Sequence, residues 1–256
     1  MKKITLSLLA ASVLLISGCS KKTAVVINNA DDLVGKKVGV QAGTTGEIYA
    51  SDIEDVKISS FKSAIDAGLA LSAGTIDAIV LDELPAKEIV KRSPKLKILE
   101  QEFSLEDYAI AVRKGDTELL NSINASIARM KNDGTYDMLQ KAFIPTEGEI
   151  VIPKIEETAP DGDIIKLGTE ASFPPFEYTE GTKVVGFDIS QSQIFANDAG
   201  RKLQVVAMAF DSLIAALQSG AIDFIAAGMT VTEERMLEVD FSEPYYQSKQ
   251  VIIVRK

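Results

Sequence analysis

The chain contains no histidine, no tryptophan and a single cysteine, Cys19. Without histidine there is no Ser-His-Asp triad, no Cys-His pair and no histidine-based zinc site. One cysteine cannot close an internal disulfide. A GxxxxGK[ST] phosphate loop and a GxSxG nucleophile elbow are missing as well. Positive charge is scarce. Lys and Arg number 27 against 37 Asp and Glu, for a net charge of -10, which argues against nucleic acid as a partner. Beyond the first eighteen residues no run is long and apolar enough to span a bilayer.

What is present begins with a targeting pattern. Lys2 and Lys3 precede an apolar stretch from Ile4 to Ile16, and "ISGC" follows. Residues 1–18 therefore read as a secretory signal, set aside from fold reasoning. The ending resembles a lipobox. Lipidation of Cys19 would hold the chain at a membrane surface without a spanning helix, the protein lying outside the cytoplasm on the periplasmic side or at the cell surface. An ordinary signal peptide with a stray cysteine is the alternative. Residues 19–30 read as a tether.

Strand and helix patterns then alternate. Strands are expected at 37–41, 56–61, 78–82, 96–100 and 108–112, with helices at 62–72 and 83–91 between them. Residues 116–143 are helical with a break at "NDGTYD". Residues 144–163, rich in proline, glycine and acids, read as a linker. The alternation then restarts with strands at 164–169, 203–209, 223–227 and 250–255. Helices are expected at 188–199 and 211–218, and a short one from Thr232. A weak internal repeat connects the halves. Phe61, Ser63, Ile65, Gly74, Ile76 and Asp77 match Phe210, Ser212, Ile214, Gly220, Ile222 and Asp223. Two lobes built on one helix-strand unit are the simplest source, chance likeness of amphipathic helices the other. Two α/β lobes leave a cleft at the carboxyl ends of their strands, where such folds bind ligands.

Four segments follow expected strands and so face that cleft. "VQAGTTGE" (41–47 with its preceding valine) is a turn entering a helix, whose N–H groups suit an anion, though many such turns bind nothing. In "AAGMTVTEER", Gly228 and Thr230 precede Arg235, which suits a bidentate bond to a carboxylate or, alone, is a solvated helix charge. Asp82 closes an apolar strand, fit either to hold an ammonium or to cap a helix. In "LGTEASFPPFEY", Glu170 precedes Phe173 and Phe176, which either wall a pocket or fill the core. Phe210 is a similar aromatic. An arginine for a carboxylate, an aspartate for an ammonium, aromatics for a stem and Glu170 for a polar tip together match a free amino acid.

"GTEASFPPFEY", "VVGFDIS", "AFDSLIAALQSGAID", "AAGMTVTEER" and "VDFSEPYYQS" resemble the first-lobe motifs of the polar amino-acid-binding proteins of ABC importers. "DDLVGKKVGVQAGTTGEIYA", "LSAGTIDAIVLD" and "YAIAVRKGDTELLNSINASIARMKNDGTYDMLQKAF" resemble that family's second lobe and its return segment. The resemblance implies a two-lobed α/β fold of the periplasmic-binding-protein type II kind, with mostly parallel sheets, helices on both faces and a cleft between lobes. The order differs from the family's, so the chain reads as circularly permuted, cut in one crossing between lobes. On that reading 31–104 is the family's second lobe, 105–143 the return segment, 144–163 a join of the original termini and 164–256 the first lobe.

The resemblance also implies roles. Arg235 clamps the α-carboxylate, helped by the N–H groups of Thr230 and Thr45. Asp82 takes the α-ammonium with the Gly228 carbonyl and the Thr230 hydroxyl. Phe173 and Phe210 sandwich the side-chain stem, Glu170 faces its tip, and Gln41 lines the other wall. A cationic side chain is favoured, arginine before lysine or histidine, with glutamine next. The expected partners are the free amino acid, an importer permease and, through Cys19, a membrane; no metal or cofactor is expected, and the chain is expected to be monomeric. Competing classes are a dehydratase on the same scaffold with Glu170 as general acid, and the sensor lobe of a signalling receptor, which needs a spanning helix beyond Lys256.

Overall fold

A computed structural model describes residues 26–99 and 104–256. The segment expected as a signal sequence, its lipobox-like ending and Cys19 lie outside the described residues. No helix among the described residues is long and apolar enough to cross a membrane.

The first half of the chain alternates β1 (Lys37–Gln41), α1 (Thr45–Ser51), β2 (Lys57–Phe61), α2 (Ala64–Ala73), β3 (Ala78–Asp82), α3 (Glu83–Arg92), β4 (Leu96–Ile98) and β5 (Ser104–Tyr108). Then follow β6 (Ala111–Arg113), α4 (Thr117–Asn132) and α5 (Thr135–Phe143). After residues 144–163 come β7 (Ile164–Thr169), β8 (Ser172–Phe173), β9 (Glu177–Glu180), β10 (Lys183–Val185), α6 (Phe187–Asp198) and β11 (Lys202–Ala207). A 3-10 turn (Phe210–Ser212) leads into α7 (Leu213–Gln218), and β12 (Phe224–Ile225), α8 (Glu233–Glu238), β13 (Val239–Phe241) and β14 (Tyr246–Arg255) complete the chain. The α4–α5 break falls in "NDGTYD", where Gly134 takes φ +83°.

Two larger sheets define two lobes. One has the order β2-β1-β3-β14-β4 with β5 also on β14; the other is β11-β7-β12-β6-β13. A small antiparallel sheet, β10-β9-β8, sits beside the second. The expectation of mostly parallel sheets needs correction. β2, β1 and β3 run parallel, as do β11, β7 and β12, but β14 and β6 enter antiparallel and bring further antiparallel neighbours. These strands arrive directly from the opposite lobe rather than by a helical crossover, so nothing forces a parallel sense.

The lobes are joined at residues 109–110 and 242–245. Residues 108–112, expected as one strand, therefore split, because the chain leaves one sheet after Tyr108 and enters the other at Ala111. The crossings are zipped together by Tyr245 N–H to Tyr108 O at 2.9 Å and Ser242 N–H to Ile110 O at 2.9 Å. Tyr108 meets Phe176 edge-on at 5.2 Å, and Phe176 meets Tyr246 at 5.0 Å, so aromatic packing holds this junction.

This layout shifts three expected boundaries. β5 belongs to the six-stranded lobe, so that lobe extends past 104 to Tyr108. β14 pairs with β3, β4 and β5, so Tyr246–Arg255 of the 164–256 segment lie in the six-stranded lobe. Both crossings are covalently continuous, which overturns a cut within one of them. The end of the expected tether is also not free. Ile27 is 4% exposed and packs in one cluster with Leu33, Ile252 and Val254.

Residues 144–163 form no helix or strand, but they are a strap rather than a loose linker. Ile144, Ile150, Ile152 and Ile155 pack on the core, and Val151 N–H reaches Ala142 O at 3.0 Å. Asn197 of α6 donates to Glu156 O at 2.7 Å and accepts from Thr158 N–H at 3.0 Å. Apolar residues spaced through an otherwise polar segment supply that attachment.

Candidate functional site between the lobes

The cavity between the lobes lies where β1, β3, β7 and β12 end. It is narrow and is lined by Gln41, Thr44, Thr45, Asp82, Glu170, Phe173, Glu177, Phe210, Ala227, Gly228, Thr230 and Arg235. The nine residues expected from the sequence thus face one space. Thr44, Glu177 and Ala227 were not expected there.

Asp82 and Arg235 carry the opposite charges of the cavity. Asp82 occupies the N-cap position of α3 but makes no side-chain cap bond. Its carboxylate accepts instead from the hydroxyls of Tyr108 and Ser248. It is 4% exposed, and burial together with the Glu106 carboxylate raises its pKa to about 7. The cap and the ammonium readings are separated by these bonds: the position is a cap, the side chain is committed inward.

Arg235, 7% exposed, is not a solvated helix charge. Thr232 caps α8 by accepting from Arg235 N–H at 3.1 Å, which fixes the helix start, and the guanidinium turns back under the loop. Nη1 donates to Thr230 O at 2.7 Å, and Nη2 donates to Gly43 O of the opposite lobe at 2.8 Å. Its centre lies 5.3 Å above the Phe210 ring. One face of Phe210, expected to stack on a ligand, therefore carries Arg235 itself. Burial pushes the guanidinium pKa down, countered by Glu106 and Asp82, and an arginine stays charged under such a shift.

The close approach of the lobes explains Gly43. It sits at φ +76°, and a Cβ there would lie 3.1 Å from Asp211 Cα across the cleft. Gly228, at φ +52°, has the Phe173 and Tyr108 rings where a Cβ would go, at 2.9 and 3.1 Å. Its N–H donates to Asp188 Oδ2 at 2.8 Å, which also accepts from Tyr245 OH at 2.7 Å. Asp188 thereby fixes the loop that carries Gly228 and Thr230. The two phenylalanines of "FPPF" divide the alternatives. Phe173 lines the cavity, while Phe176 is fully buried in the aromatic junction.

Acceptors dominate another part of the wall. Glu170 is held by Ser172 Oγ at 2.6 Å and Ser172 N–H at 3.2 Å, and burial raises its pKa. Gln41 Oε1 is buried without a donor. Glu177 is fully buried, and burial plus the charge of Asp188 hold its carboxyl well above the usual range. No hydrogen-bond donor reaches either of its carboxylate oxygens.

Sequence reasoning also missed Glu106, buried beneath Thr45 and Thr230, whose hydroxyls both donate to its Oε2, at 2.9 and 2.7 Å. On β5 Leu105 is exposed, while Glu106 and Tyr108 share the inward face, an arrangement opposite to what residue type suggests. No group of three or more His, Cys, Asp or Glu side chains suited to a metal occurs among the described residues.

The arginine-binding extracellular protein ArtP of Bacillus subtilis (strain 168) is 44% identical over 90 residues, covering 35% of each chain. The L-cystine-binding protein TcyJ of Escherichia coli (strain K12) is 37% identical over 119 residues, 46% of this chain and 45% of that one. The matched stretches thus span a third to a half of these relatives. The arginine-bound form of domain 1 from TmArgBP is 39% identical, with 40% of this chain and 87% of that chain covered and a TM-score of 0.33. These names belong to binding proteins rather than enzymes. The profile of the bacterial extracellular solute-binding proteins, family 3, matches residues 12–146 and 165–256, and the chain belongs to that family.

Proposed function

We propose that the protein is an extracytoplasmic receptor that binds a free L-amino acid between its lobes and delivers it to an ABC importer. The observation that carries this reading is one space between the lobes lined by both a buried carboxylate, Asp82, and a buried guanidinium, Arg235. A zwitterion pairs both, and leaving either charge unpaired in such a space costs several kcal/mol. Arg235 and the N–H groups of Thr230 and Thr45 take the α-carboxylate. Asp82, the Gly228 carbonyl and the Thr230 hydroxyl take the α-ammonium. Phe173 and the free face of Phe210 hold the stem.

The side chain is basic, arginine first. Glu170 and the orphaned Gln41 Oε1 offer acceptors on the same cavity, and a guanidinium offers only donors. Relatives named for arginine support this choice, and glutamine is the second candidate. Closure is favoured because ligand contacts from both lobes coexist only when the lobes meet. Membership in a solute-binding family sets the dehydratase reading aside. Cys19 serves as the lipid anchor, and the protein acts as a monomer.

The motif order is a circular permutation of the family's. The shared cluster of Ile27 and Val254 supports a join beyond β14, inside the six-stranded lobe. A thermal-shift screen of the twenty amino acids tests the function, since a ligand that binds only the folded state raises the melting temperature. Arginine is expected to give the largest rise. No rise with any amino acid overturns the reading.

A further inference from the structure

Glu106 is a buried carboxylate on β5, the strand that leads into one crossing. Its Oε2 accepts from Thr45 Oγ1 of α1 at 2.9 Å and from Thr230 Oγ1 of the opposite lobe at 2.7 Å. Gln250 Nε2 lies 3.3 Å from the same oxygen, and Ser104 Oγ lies 3.4 Å from Oε1. Neighbouring backbone fixes Thr230 against this strand, through Val231 N–H to Asp107 O at 2.9 Å and Ala109 N–H to Met229 O at 3.1 Å.

A hydroxyl has one proton to donate. Thr230 and Thr45 both spend it on Glu106, so each presents only lone pairs to any other partner. Both line the cavity. Their hydroxyls are therefore acceptors there, suited to an ammonium and unsuited to a carboxylate. Glu106 also adds a second negative charge beside Asp82.

We propose that Glu106 is a positioning residue for the ligand's α-ammonium, acting from both lobes at once through the hydroxyls of Thr45 and Thr230. It need not touch the ligand. The inference rests on the amino-acid reading above and adds the group that sets the polarity of the ammonium end.

One consequence is a proton linked to binding. Facing Asp82 are Glu106 and Tyr108 from β5, Tyr246 from β14, Tyr49 from α1, Arg235 from α8 and Glu177 from β9, with Ser248 and Gln250 as neutral donors. Burial raises the Asp82 pKa most, and Glu106 is the charged neighbour that adds most to it. Below about pH 7 the empty protein thus holds a proton on Asp82. An arriving ammonium favours the ionised form and expels that proton. Affinity then rises with pH, at most about tenfold per unit for one proton, and levels off above about pH 7.

The test is Glu106→Gln, with Kd for arginine and for its analogue lacking the α-amino group measured by calorimetry between pH 5.5 and 8. The expected result is an arginine affinity at least about tenfold weaker at pH 7.5, a smaller loss for the des-amino analogue, and a flattened pH profile. Equal losses for both ligands with the wild-type pH slope intact would mean a merely structural role and overturn this inference alone. Wild-type protein that binds no amino acid overturns the functional reading and this inference with it. Should the variant not fold, Thr45→Val beside Thr45→Ser decides, since only valine removes the hydroxyl that Glu106 orients. A larger loss for arginine than for the des-amino analogue in the valine variant alone supports the proposal; equal losses for the two ligands overturn it.

Discussion

The two lobes repeat one device and then put it to different uses. In the six-stranded lobe α2 ends at Gly74, Ile76 is buried, and Asp77 accepts from Lys37 N–H at 3.0 Å at the start of β1. In the five-stranded lobe α7 leads to Gly220, Ile222 is buried, and Asp223 accepts from Lys166 N–H at 2.8 Å in β7. Gly39 makes room for Ile76 as Gly168 does for Ile222. Arg255 sits 3.6 Å from Asp77, and Arg113 sits 3.6 Å from Asp223. The frame is thus duplicated down to its ion pairs. The strand ends are not. The six-stranded lobe supplies Gln41, Thr45 and Asp82, while the five-stranded lobe supplies Glu170, Phe173, Phe210, Thr230 and Arg235. Equivalent scaffolds carry a buried carboxylate, Asp82, on one side and a buried guanidinium, Arg235, on the other, so under the proposed function neither lobe alone pairs a zwitterion.

Breaking that division of labour gives the largest expected effect. Arg235→Ala leaves the α-carboxylate and Asp82 without their counter-charge, a loss of about 2–5 kcal/mol, so calorimetry should find no micromolar binding of any amino acid. Retained micromolar affinity would detach Arg235 from the ligand. Glu170→Gln should cost arginine at least about tenfold more affinity than it costs glutamine, because only a cation loses a charge partner. Equal costs would remove Glu170 from selectivity.

A third effect is read in pH. Asp82 and Asp188 have folded pKa values of about 7 and about 6, above the unfolded value near 3.8. Raised acids bind protons more tightly folded than unfolded. Their contribution is complete below about pH 4 and disappears as pH rises through 6 and 7. The melting temperature of the ligand-free protein should fall across that window, and Asp82→Asn should shrink the fall; a rise would contradict the burial argument. The smallest effect tests the duplicated frame. Asp77→Ala and Asp223→Ala should each lower stability in urea by about 1 kcal/mol and leave Kd for arginine unchanged. A large loss in one lobe only would show that the repeat is not energetically equivalent.

Legibility in the sequence followed local chemistry. Strands 78–82 and 164–169 were readable to the residue because both are short, apolar and bounded by polar or turn signals. Asp82, Glu170, Phe173, Phe210, Gly228, Thr230 and Arg235 were readable because their segments follow strands and carry charge, aromatic rings or turn chemistry, while the roles of Gln41 and Thr45 came with the family resemblance. Glu106 was not, because the alternation of β5 looks inverted: Leu105 points out and the glutamate in. Its phase is set by Tyr108, whose ring is fixed by Phe176 and Tyr246 from distant segments. The 3-10 turn before α7 and the small β8–β10 sheet were likewise invisible, since two- and three-residue elements carry no usable period.

The sequence by itself determined the alternating α/β architecture, the repeated Gly-Ile-Asp unit and the charged and aromatic inventory on which the proposed function rests, because these depend on residue type and short spacing. Only the tertiary structure decided which lobe owns β5 and β14, that residues 144–163 are a packed strap, that Asp82 turns inward rather than capping α3, and that Glu106 joins the hydroxyls of both lobes. Each of those depends on contacts between segments far apart in the chain, and pairing across a crossing leaves no periodic mark on either partner.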